Sequence, residues 1–103
     1  MNESKYRTEL IKKIQTRLPG AFVIYNDPRY RQGLPDLLVL WHDKWAMLEV
    51  KISRTATIQP NQEYYVERFN EMSFAAFIYP EIEDEVLSEL QLAFSGRRKA
   101  RIS

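Results

Sequence analysis

The sequence predicts a single mixed α/β domain in which an N-terminal helix is followed by three strands, a helix, a fourth strand and a last helix. Three observations support this fold class. Apolar residues recur at helical spacing near the N-terminus, short runs of strand-forming residues fill the middle, and a second helical pattern separates the last run from the others. A chain of 103 residues suffices for one compact domain, so residues 1–103 are treated as one unit.

The first predicted helix covers residues 3–18. Apolar side chains recur every four positions from Tyr6 to Leu18, which puts them on one face, and the Pro-Gly pair that follows ends the helix. A short apolar strand is predicted from Phe22 to Tyr25. Residues 26–33 are rich in Asp, Asn, Pro, Arg and Gly, which is typical of a loop.

Two strands, Leu37 to Trp41 and Trp45 to Ile52, are predicted to form a hairpin with residues 42–44 as the turn. In the second strand both alternating sets of side chains are largely apolar. This pattern favours a strand in the interior of the sheet, so the complete sheet would be mixed, with an antiparallel meander feeding a helical crossover.

The C-terminal half is predicted to contain a loop, a helix, a strand and a last helix. Pro60 is well placed to begin the first of these helices, which ends near Met72. The strand runs from Phe74 to Tyr79. The predicted buried residues of the two helices are Tyr65, Val66, Phe69 and Met72, then Ile82, Val86, Leu90 and Phe94, with Gly96 as the C-terminal cap.

Glu49 and Lys51 carry the most informative charges, because they project from the same side of an otherwise apolar strand. Buried opposite charges need compensation. An even-numbered turn would put Asp36 on their face. If Trp41 pairs with Lys44, Asp36 lies opposite Glu49, and if the pairing shifts by one residue on each side, Asp36 lies opposite Lys51. Either register gathers two carboxylates and an ammonium group.

Two neighbouring carboxylates repel each other and call for a cation. Oxygen ligands with open positions suit Mg²⁺ or Mn²⁺, which polarise a phosphoryl oxygen and lower the pKa of a bound water. A lysine beside such a metal can orient the water and offset developing charge. We therefore expect Asp36, Glu49 and Lys51 to form a metal-dependent hydrolytic site.

These residues resemble a known motif. Gly33-Leu34-Pro35-Asp36, twelve intervening residues and Glu49-Val50-Lys51 resemble the PD-(D/E)xK nuclease superfamily. The Gly-x-Pro-Asp opening and residues 58–62 are most similar to small VRR-NUC and Holliday-junction-resolvase-like enzymes, many of them phage-encoded. The resemblance spans nearly the whole chain and implies one restriction-endonuclease-like domain with an αβββαβ core and a C-terminal helix.

The resemblance also implies roles for single residues. Asp36, Glu49 and the Val50 carbonyl would bind the metal, Lys51 would position the water, and Gln62 matches the family's glutamine. The family often carries a glutamate on its first helix. Glu3 falls on the apolar face of that helix and Glu9 does not, so Glu3 is the predicted additional ligand.

The implied reaction is hydrolysis of DNA phosphodiester bonds by an endonuclease. Core elements take up almost the full length, which favours recognition of branched or junction DNA, or weakly specific cutting, over reading of a sequence. The alternative is a nucleic-acid-binding module that kept the fold without catalysis, against which the intact Asp36, Glu49 and Lys51 speak.

DNA is the expected partner despite a net charge of +1, because basic residues are clustered. Arg29, Tyr30 and Arg31 lie in the loop before Asp36, and Arg54 follows Lys51. Arginine binds phosphate and tyrosine stacks on bases, so these four are the candidate DNA contacts. Further basic residues, Arg97, Arg98, Lys99 and Arg101, crowd the C-terminus.

Composition narrows the remaining possibilities. The chain has no cysteine and one histidine, His42, which excludes disulfides and thiolate sites and disfavours zinc and His-Asn-His nucleases. No membrane segment, secretory signal or small-molecule cofactor motif is evident, so we expect a cytoplasmic protein, in the host cytoplasm if it is phage-encoded.

A homodimer is also expected. Five aromatic side chains are more than one thin sheet is expected to bury, and exposed apolar patches mark contacts with other chains. They are Trp41, Trp45, Phe74, Phe77 and Tyr79.

Overall fold

The computed structural model describes residues 1–96, and the predicted basic C-terminus lies outside the described residues. The order of elements matches the sequence prediction. In chain order they are α1 (Glu3–Arg17), β1 (Phe22–Tyr25), β2 (Leu37–Trp41), β3 (Lys44–Val50), α2 (Pro60–Met72), β4 (Phe74–Ile78), a single 3₁₀ turn (Pro80–Ile82) and α3 (Glu83–Phe94).

The four strands form one mixed sheet in the order β1-β2-β3-β4. The first three pair antiparallel, and β3 pairs parallel with β4 through the crossover helix α2. The predicted mixed α/β architecture, with β3 in the interior of the sheet, is therefore confirmed. Helices α1 and α3 cover one face of this sheet and α2 covers part of the other, which gives a three-layer domain.

The β2–β3 hairpin has a two-residue turn rather than the three residues predicted. Trp41 pairs with Lys44, so β3 begins one residue earlier than expected, and it ends at Val50 instead of Ile52. His42 takes a left-handed conformation with φ of 57°, which histidine adopts more readily than most residues. The even-numbered loop selects the first of the two predicted registers.

The main core lies between the sheet and the pair α1 and α3. Residues of every element except α2 contribute to it, and the fully buried ones include Leu10, Ile14, Leu37, Val39, Leu48, Val50, Ile78 and Leu90. Glu83 joins the two helices, because its carboxylate accepts hydrogen bonds from the Tyr6 hydroxyl at 2.9 Å and from Lys13 Nζ at 2.7 Å. Burial, and secondarily this carboxylate, raises the pKa of Tyr6.

The opposite face of the sheet is only partly covered. Phe69 of α2 packs edge-on against Trp45, with ring centroids 6.1 Å apart, whereas the side chains of Phe22 and Ile24 on β1 are 73% and 45% exposed. The aromatic residues that the sequence predicted to be exposed are mostly packed, and Phe74 is buried. The predicted burial of Met72 is also wrong, because it is 59% exposed at the last turn of α2.

One edge of the sheet collects the polar loops. At this edge, which we call the loop edge, β1, β3 and β4 end and β2 begins, so segments 26–36, 51–59 and 79–82 meet there. Helix α2 begins at the loop edge. Helix α1 ends in the turn that starts β1 at the far edge, so its N-terminal half also lies near the loop edge. Among the described residues, no helix has the length and apolar character needed to cross a membrane.

Candidate active site

Asp36 and Glu49 face each other at the loop edge. Leu37 pairs with Leu48. Because the strands are antiparallel, Asp36, which precedes Leu37, lies opposite Glu49, which follows Leu48. The Asp36 Oδ2 atom accepts a hydrogen bond from the Val50 backbone N–H at 3.1 Å. The hairpin therefore fixes both the position of the Asp36 side chain and its neighbour across the strand pair, as the first predicted register requires.

Glu49 is a buried carboxylate with one oxygen unused. Its side chain is almost fully covered, with the residue 3% exposed. Oε2 accepts a hydrogen bond from Gln62 Nε2 at 3.0 Å, and Oε1 has no hydrogen-bond partner within the part of the chain that the structure describes. Burial, and then the nearby charge of Asp36, raise the pKa of Glu49 to about 8, while Lys51 opposes the shift.

Lys51 is held by two acceptors beside Glu49. Its Nζ donates to the Thr57 carbonyl at 2.8 Å and to Gln62 Oε1 at 2.9 Å, and it lies 3.8 Å from Glu49 Oε2. The backbone N–H of Lys51 donates to the Ile78 carbonyl at 2.9 Å, which continues the parallel pairing with β4 just past the end of the strand. The ammonium group is thus fixed at the loop edge and largely removed from solvent.

Gln62 connects the two charged groups, as its position on the sheet-facing side of α2 predicted. Its Oε1 also accepts a hydrogen bond from the Gln59 backbone N–H at 2.9 Å, at the start of the helix. Both donors converge on the amide oxygen, so the amide nitrogen is directed to Glu49. The chain of contacts runs from Lys51 through Gln62 to Glu49.

The pKa of Asp36 is also raised. Burial is the main cause, the hydrogen bond from Val50 opposes it, and the negative charge of Glu3 adds to the rise. The charge of Glu3 likewise raises the pKa of Glu49. Glu3 therefore acts on both carboxylates, in agreement with the helical phase that selected it over Glu9.

Glu3 does not, however, complete a three-carboxylate site. Within residues 1–96, no three His, Cys, Asp or Glu side chains are arranged to hold one metal ion together. Glu3 is exposed in the first turn of α1, where a helix terminus frays most easily. The structure thus brings together Asp36, Glu49, Lys51 and Gln62, and it leaves Glu3 at the periphery.

The four predicted DNA contacts also lie in loops at the loop edge. Arg29 is engaged by Asp27, with 2.7 Å between Nη2 and Oδ2, and the Tyr30 side chain is 85% exposed. Arg31 Nη1 lies 3.5 Å from the Tyr65 hydroxyl on α2, at the limit of a hydrogen bond.

Arg54 lies in the other loop. Its backbone N–H donates to Glu81 at 3.2 Å, and its guanidinium carbon is 5.8 Å from the centroid of the Tyr79 ring. The 26–36 loop therefore presents Arg29, Tyr30 and Arg31, and the 51–59 loop presents Arg54 beside Tyr79.

Sequence reasoning missed two residues near the site. The Arg7 guanidinium carbon lies 4.2 Å from the centroid of the Tyr25 ring, and the positive charge of Arg7 lowers the pKa of Asp36. Arg7 follows Glu3 by four residues and so shares its side of α1. That spacing is visible in the sequence, but helical spacing alone does not distinguish Arg7 from any other surface arginine. The contact with Tyr25 is long-range and had no sequence signal.

The fold is that of solved VRR_NUC domains. One, described as a "VRR_NUC domain", has a TM-score of 0.67 and 22% sequence identity, covering 84% of this chain and 94% of that chain. Another, a "VRR_NUC domain protein", has a TM-score of 0.64 and 16% identity, covering 92% of this chain and 89% of that chain. No protein-family model and no curated protein matches the sequence. The fold that the motif resemblance implied is therefore confirmed.

Proposed function

We propose that this protein is a metal-dependent DNA endonuclease that hydrolyses phosphodiester bonds. One observation carries the proposal: Glu49 is buried opposite Asp36 with its Oε1 lacking any hydrogen-bond partner among the described residues. An unpaired buried carboxylate oxygen destabilises a fold unless a ligand compensates it. The shared fold with VRR_NUC domains supports a nuclease-type activity.

The donor set fits Mg²⁺ or Mn²⁺. Asp36, Glu49 and the Val50 carbonyl would supply oxygen ligands only, which suits a hard divalent cation that keeps several waters. The pKa of Glu49 is raised to about 8 because burial and the charge of Asp36 disfavour its ionised form, which a bound cation would stabilise. When bound, the metal would polarise a phosphoryl oxygen and acidify a water. Glu3 could add an outer contact through water.

Lys51 would act on the reacting phosphate or on the attacking water. An ammonium group has three N–H donors, of which Thr57 and Gln62 take two. Glu49 Oε2, at 3.8 Å, is too distant to accept a hydrogen bond from the third N–H, which would therefore be available to a water oxygen or a phosphate oxygen. Because Gln62 and Thr57 fix the Nζ atom, Lys51 would offset the growing negative charge without reorganising.

DNA with branches or junctions is the proposed substrate. The described residues form the sheet, its three covering helices and the connecting loops, with no separate module for reading a sequence. Arg29, Tyr30, Arg31 and Arg54 are exposed on loops around the site. Contacts from such side chains to phosphates and unstacked bases recognise the shape of DNA rather than its sequence.

Cleavage assays test the proposal directly. Linear, flapped, single-stranded and four-way DNA would be incubated with Mg²⁺, with Mn²⁺ or with chelator. Asp36→Asn, Glu49→Gln and Lys51→Met should each abolish metal-dependent cleavage, and the exposed Glu67→Gln on α2 is the matched control. Binding of DNA without cleavage of any substrate by the wild type would establish the alternative, a non-catalytic binding module.

We also propose a homodimer, on grounds revised by the structure. The uncovered sheet face on β1, with Phe22 and Ile24, lies on a strand that forms the edge of the sheet within residues 1–96. An exposed apolar edge strand favours pairing with another chain. Sedimentation equilibrium of the wild type and of Phe22→Ser tests this. A wild-type mass equal to the 12.3 kDa of one chain, with and without DNA, would refute the dimer.

A further inference from the structure

Arg7 and Tyr25 form a fixed pair next to the candidate active site. Tyr25 is the last residue of β1 and pairs with Leu37, one position from Asp36. The next residue, Asn26, donates its backbone N–H to the Asp36 carbonyl at 2.7 Å. The ring is therefore anchored to the same strand end as Asp36, and the Arg7 guanidinium carbon rests 4.2 Å from the centroid of that ring.

The N–H donors of the Arg7 side chain have no acceptor among residues 1–96. Within residues 1–96, the cation–π contact with Tyr25 is the direct interaction of its side chain, and neither an ion pair nor a side-chain hydrogen bond engages it. Arg54, 5.8 Å from the centroid of the Tyr79 ring, is a looser case of the same arrangement, whereas other arginines pair with carboxylates. Arg17 pairs with Asp84 and Arg68 with Glu71. A guanidinium held by stacking keeps its planar set of N–H donors open to a ligand.

A role as counter-ion for the carboxylates explains this geometry less well. An arginine that serves to neutralise a neighbouring carboxylate gains most from a direct, two-pronged hydrogen bond with it. Arg7 makes no such bond to Asp36 or to Glu3, although both charges are close. Its guanidinium is instead laid on an aromatic ring and half-buried, which holds it in one place with its edge unoccupied.

We propose that Arg7 is a phosphate-binding residue that contacts a backbone phosphate of the DNA strand passing over Asp36, while stacking on Tyr25 holds its guanidinium group in place. This inference rests on the proposed nuclease function and adds to it a contact on the α1 side of the site. Guanidinium groups recognise phosphate through paired hydrogen bonds, and stacking on Tyr25 lowers the conformational entropy lost on binding. The other predicted contacts would then touch the same DNA strand from the two loops. They are Arg29, Tyr30, Arg31 and Arg54.

Equilibrium binding tests the assignment. Fluorescence anisotropy without divalent metal would use a fluorescein-labelled four-way junction and a linear duplex. Arg7→Ala should weaken binding roughly 10- to 100-fold, as expected for loss of a charged hydrogen-bonded pair. The slope of log affinity against log salt should fall by about one, because one phosphate contact is lost. Lys5→Ala, an exposed cation on the same helix, is the matched control and should change neither the affinity nor the slope.

The role of the Tyr25 ring in holding Arg7 is tested separately. Tyr25→Phe keeps the ring and should bind as the wild type does, whereas Tyr25→Leu should weaken binding. Arg7→Lys keeps the charge and should restore the salt slope but not the full affinity. With Mg²⁺, Arg7→Ala, Arg7→Lys and Tyr25→Leu should raise KM more than they lower kcat, whereas Tyr25→Phe should leave both unchanged. If Arg7→Ala fails to fold, as judged by circular dichroism, Arg7→Lys and Tyr25→Leu still decide the question.

Neutral methylphosphonates identify the contact itself. In a series of duplexes with one neutral linkage each, one position should weaken binding of the wild type and leave Arg7→Ala unaffected. Wild-type affinity and salt slope in Arg7→Ala, while the wild type cleaves DNA, would overturn the assignment. A change confined to Mg²⁺ affinity in calorimetry would overturn it too, in favour of a counter-ion. A wild type that neither binds nor cleaves any DNA would instead refute the proposed function.

Discussion

Replacement of Glu49 by glutamine should stabilise the metal-free protein near neutral pH. In the folded protein the pKa of Glu49 is raised from 4.5 to about 8, mainly by burial and then by the charge of Asp36. Between these two values the unfolded chain has lost the Glu49 proton while the folded chain still holds it. The stability that Glu49 contributes is therefore fully present below about pH 4.5 and is lost as the pH rises toward about 8.

The magnitude follows from this linkage. Within the window, one proton is released on unfolding, so the free energy of unfolding falls by about 1.4 kcal/mol per pH unit. From about pH 5.5 to about pH 7.5 the wild type should lose roughly 2 to 3 kcal/mol from this group alone. Asp36 contributes in the same direction, because its pKa is also raised. For a chain of this size such a loss is a large part of the total stability.

Urea denaturation in chelating buffer across this pH range is the appropriate assay. The free energy of unfolding of Glu49→Gln should depend less steeply on pH, because only the contribution of Asp36 remains. It should exceed the wild-type value by roughly 3 kcal/mol at about pH 7 and converge with it below about pH 4.5. Glu67→Gln, on the exposed side of α2, should keep the wild-type slope. Added Mg²⁺ should flatten the wild-type curve, because a bound cation favours the ionised carboxylate.

Parallel curves for the wild type and Glu49→Gln would refute the reasoning. That result would mean that Glu49 is ionised in the metal-free fold and that its burial is compensated by Lys51 together with the hydrogen bond from Gln62. The unused Oε1 would then give no reason to expect a cation at this position.

Three further predictions concern other contacts. Gln62→Leu should lower kcat roughly 10- to 100-fold with an unchanged urea m-value, because the substitution removes the acceptor that orients Lys51 Nζ. Glu83→Ala should lower the free energy of unfolding by roughly 1–3 kcal/mol, because the Tyr6 hydroxyl and the Lys13 ammonium group lose their acceptor. Gly33→Ala should destabilise more than Gly20→Ala in thermal unfolding. Both have positive φ, but only at Gly33 would the new Cβ meet Asn61 Nδ2, at 2.5 Å.

Local patterns were sufficient to predict most of the fold. The helix from Pro60 to Met72 was predicted with its observed bounds, because a proline at the first helical position and the spacing of Val66 and Phe69 act within the segment itself. The hairpin was harder. A three-residue turn and a two-residue turn differ only in whether Lys44 pairs, and strand pairing beyond the turn decides this.

Exposure was the weaker part of the prediction. The sequence identified Trp41 and Trp45 as apolar, but it could not show that Trp41 stacks on Phe94, 6.0 Å away between ring centroids, or that Phe69 covers Trp45. These are contacts between elements distant in the chain. The same reason explains why Phe22 was not recognised as an exposed aromatic residue of the sheet.

The orientation of the Gln62 amide links the start of α2 to the chemistry of the site. The Gln59 backbone N–H is one of the groups that a helix N-terminus leaves without an intrahelical partner, and Gln62 Oε1 satisfies it at 2.9 Å. With the oxygen held there and by Lys51, only the amide N–H₂ can face Glu49. If the amide were reversed, Lys51 and the helix N-terminus would lose an acceptor together and two donors would face each other. The helix start thus determines that Glu49 Oε2 is occupied by Gln62, while Oε1 has no hydrogen-bond partner among residues 1–96.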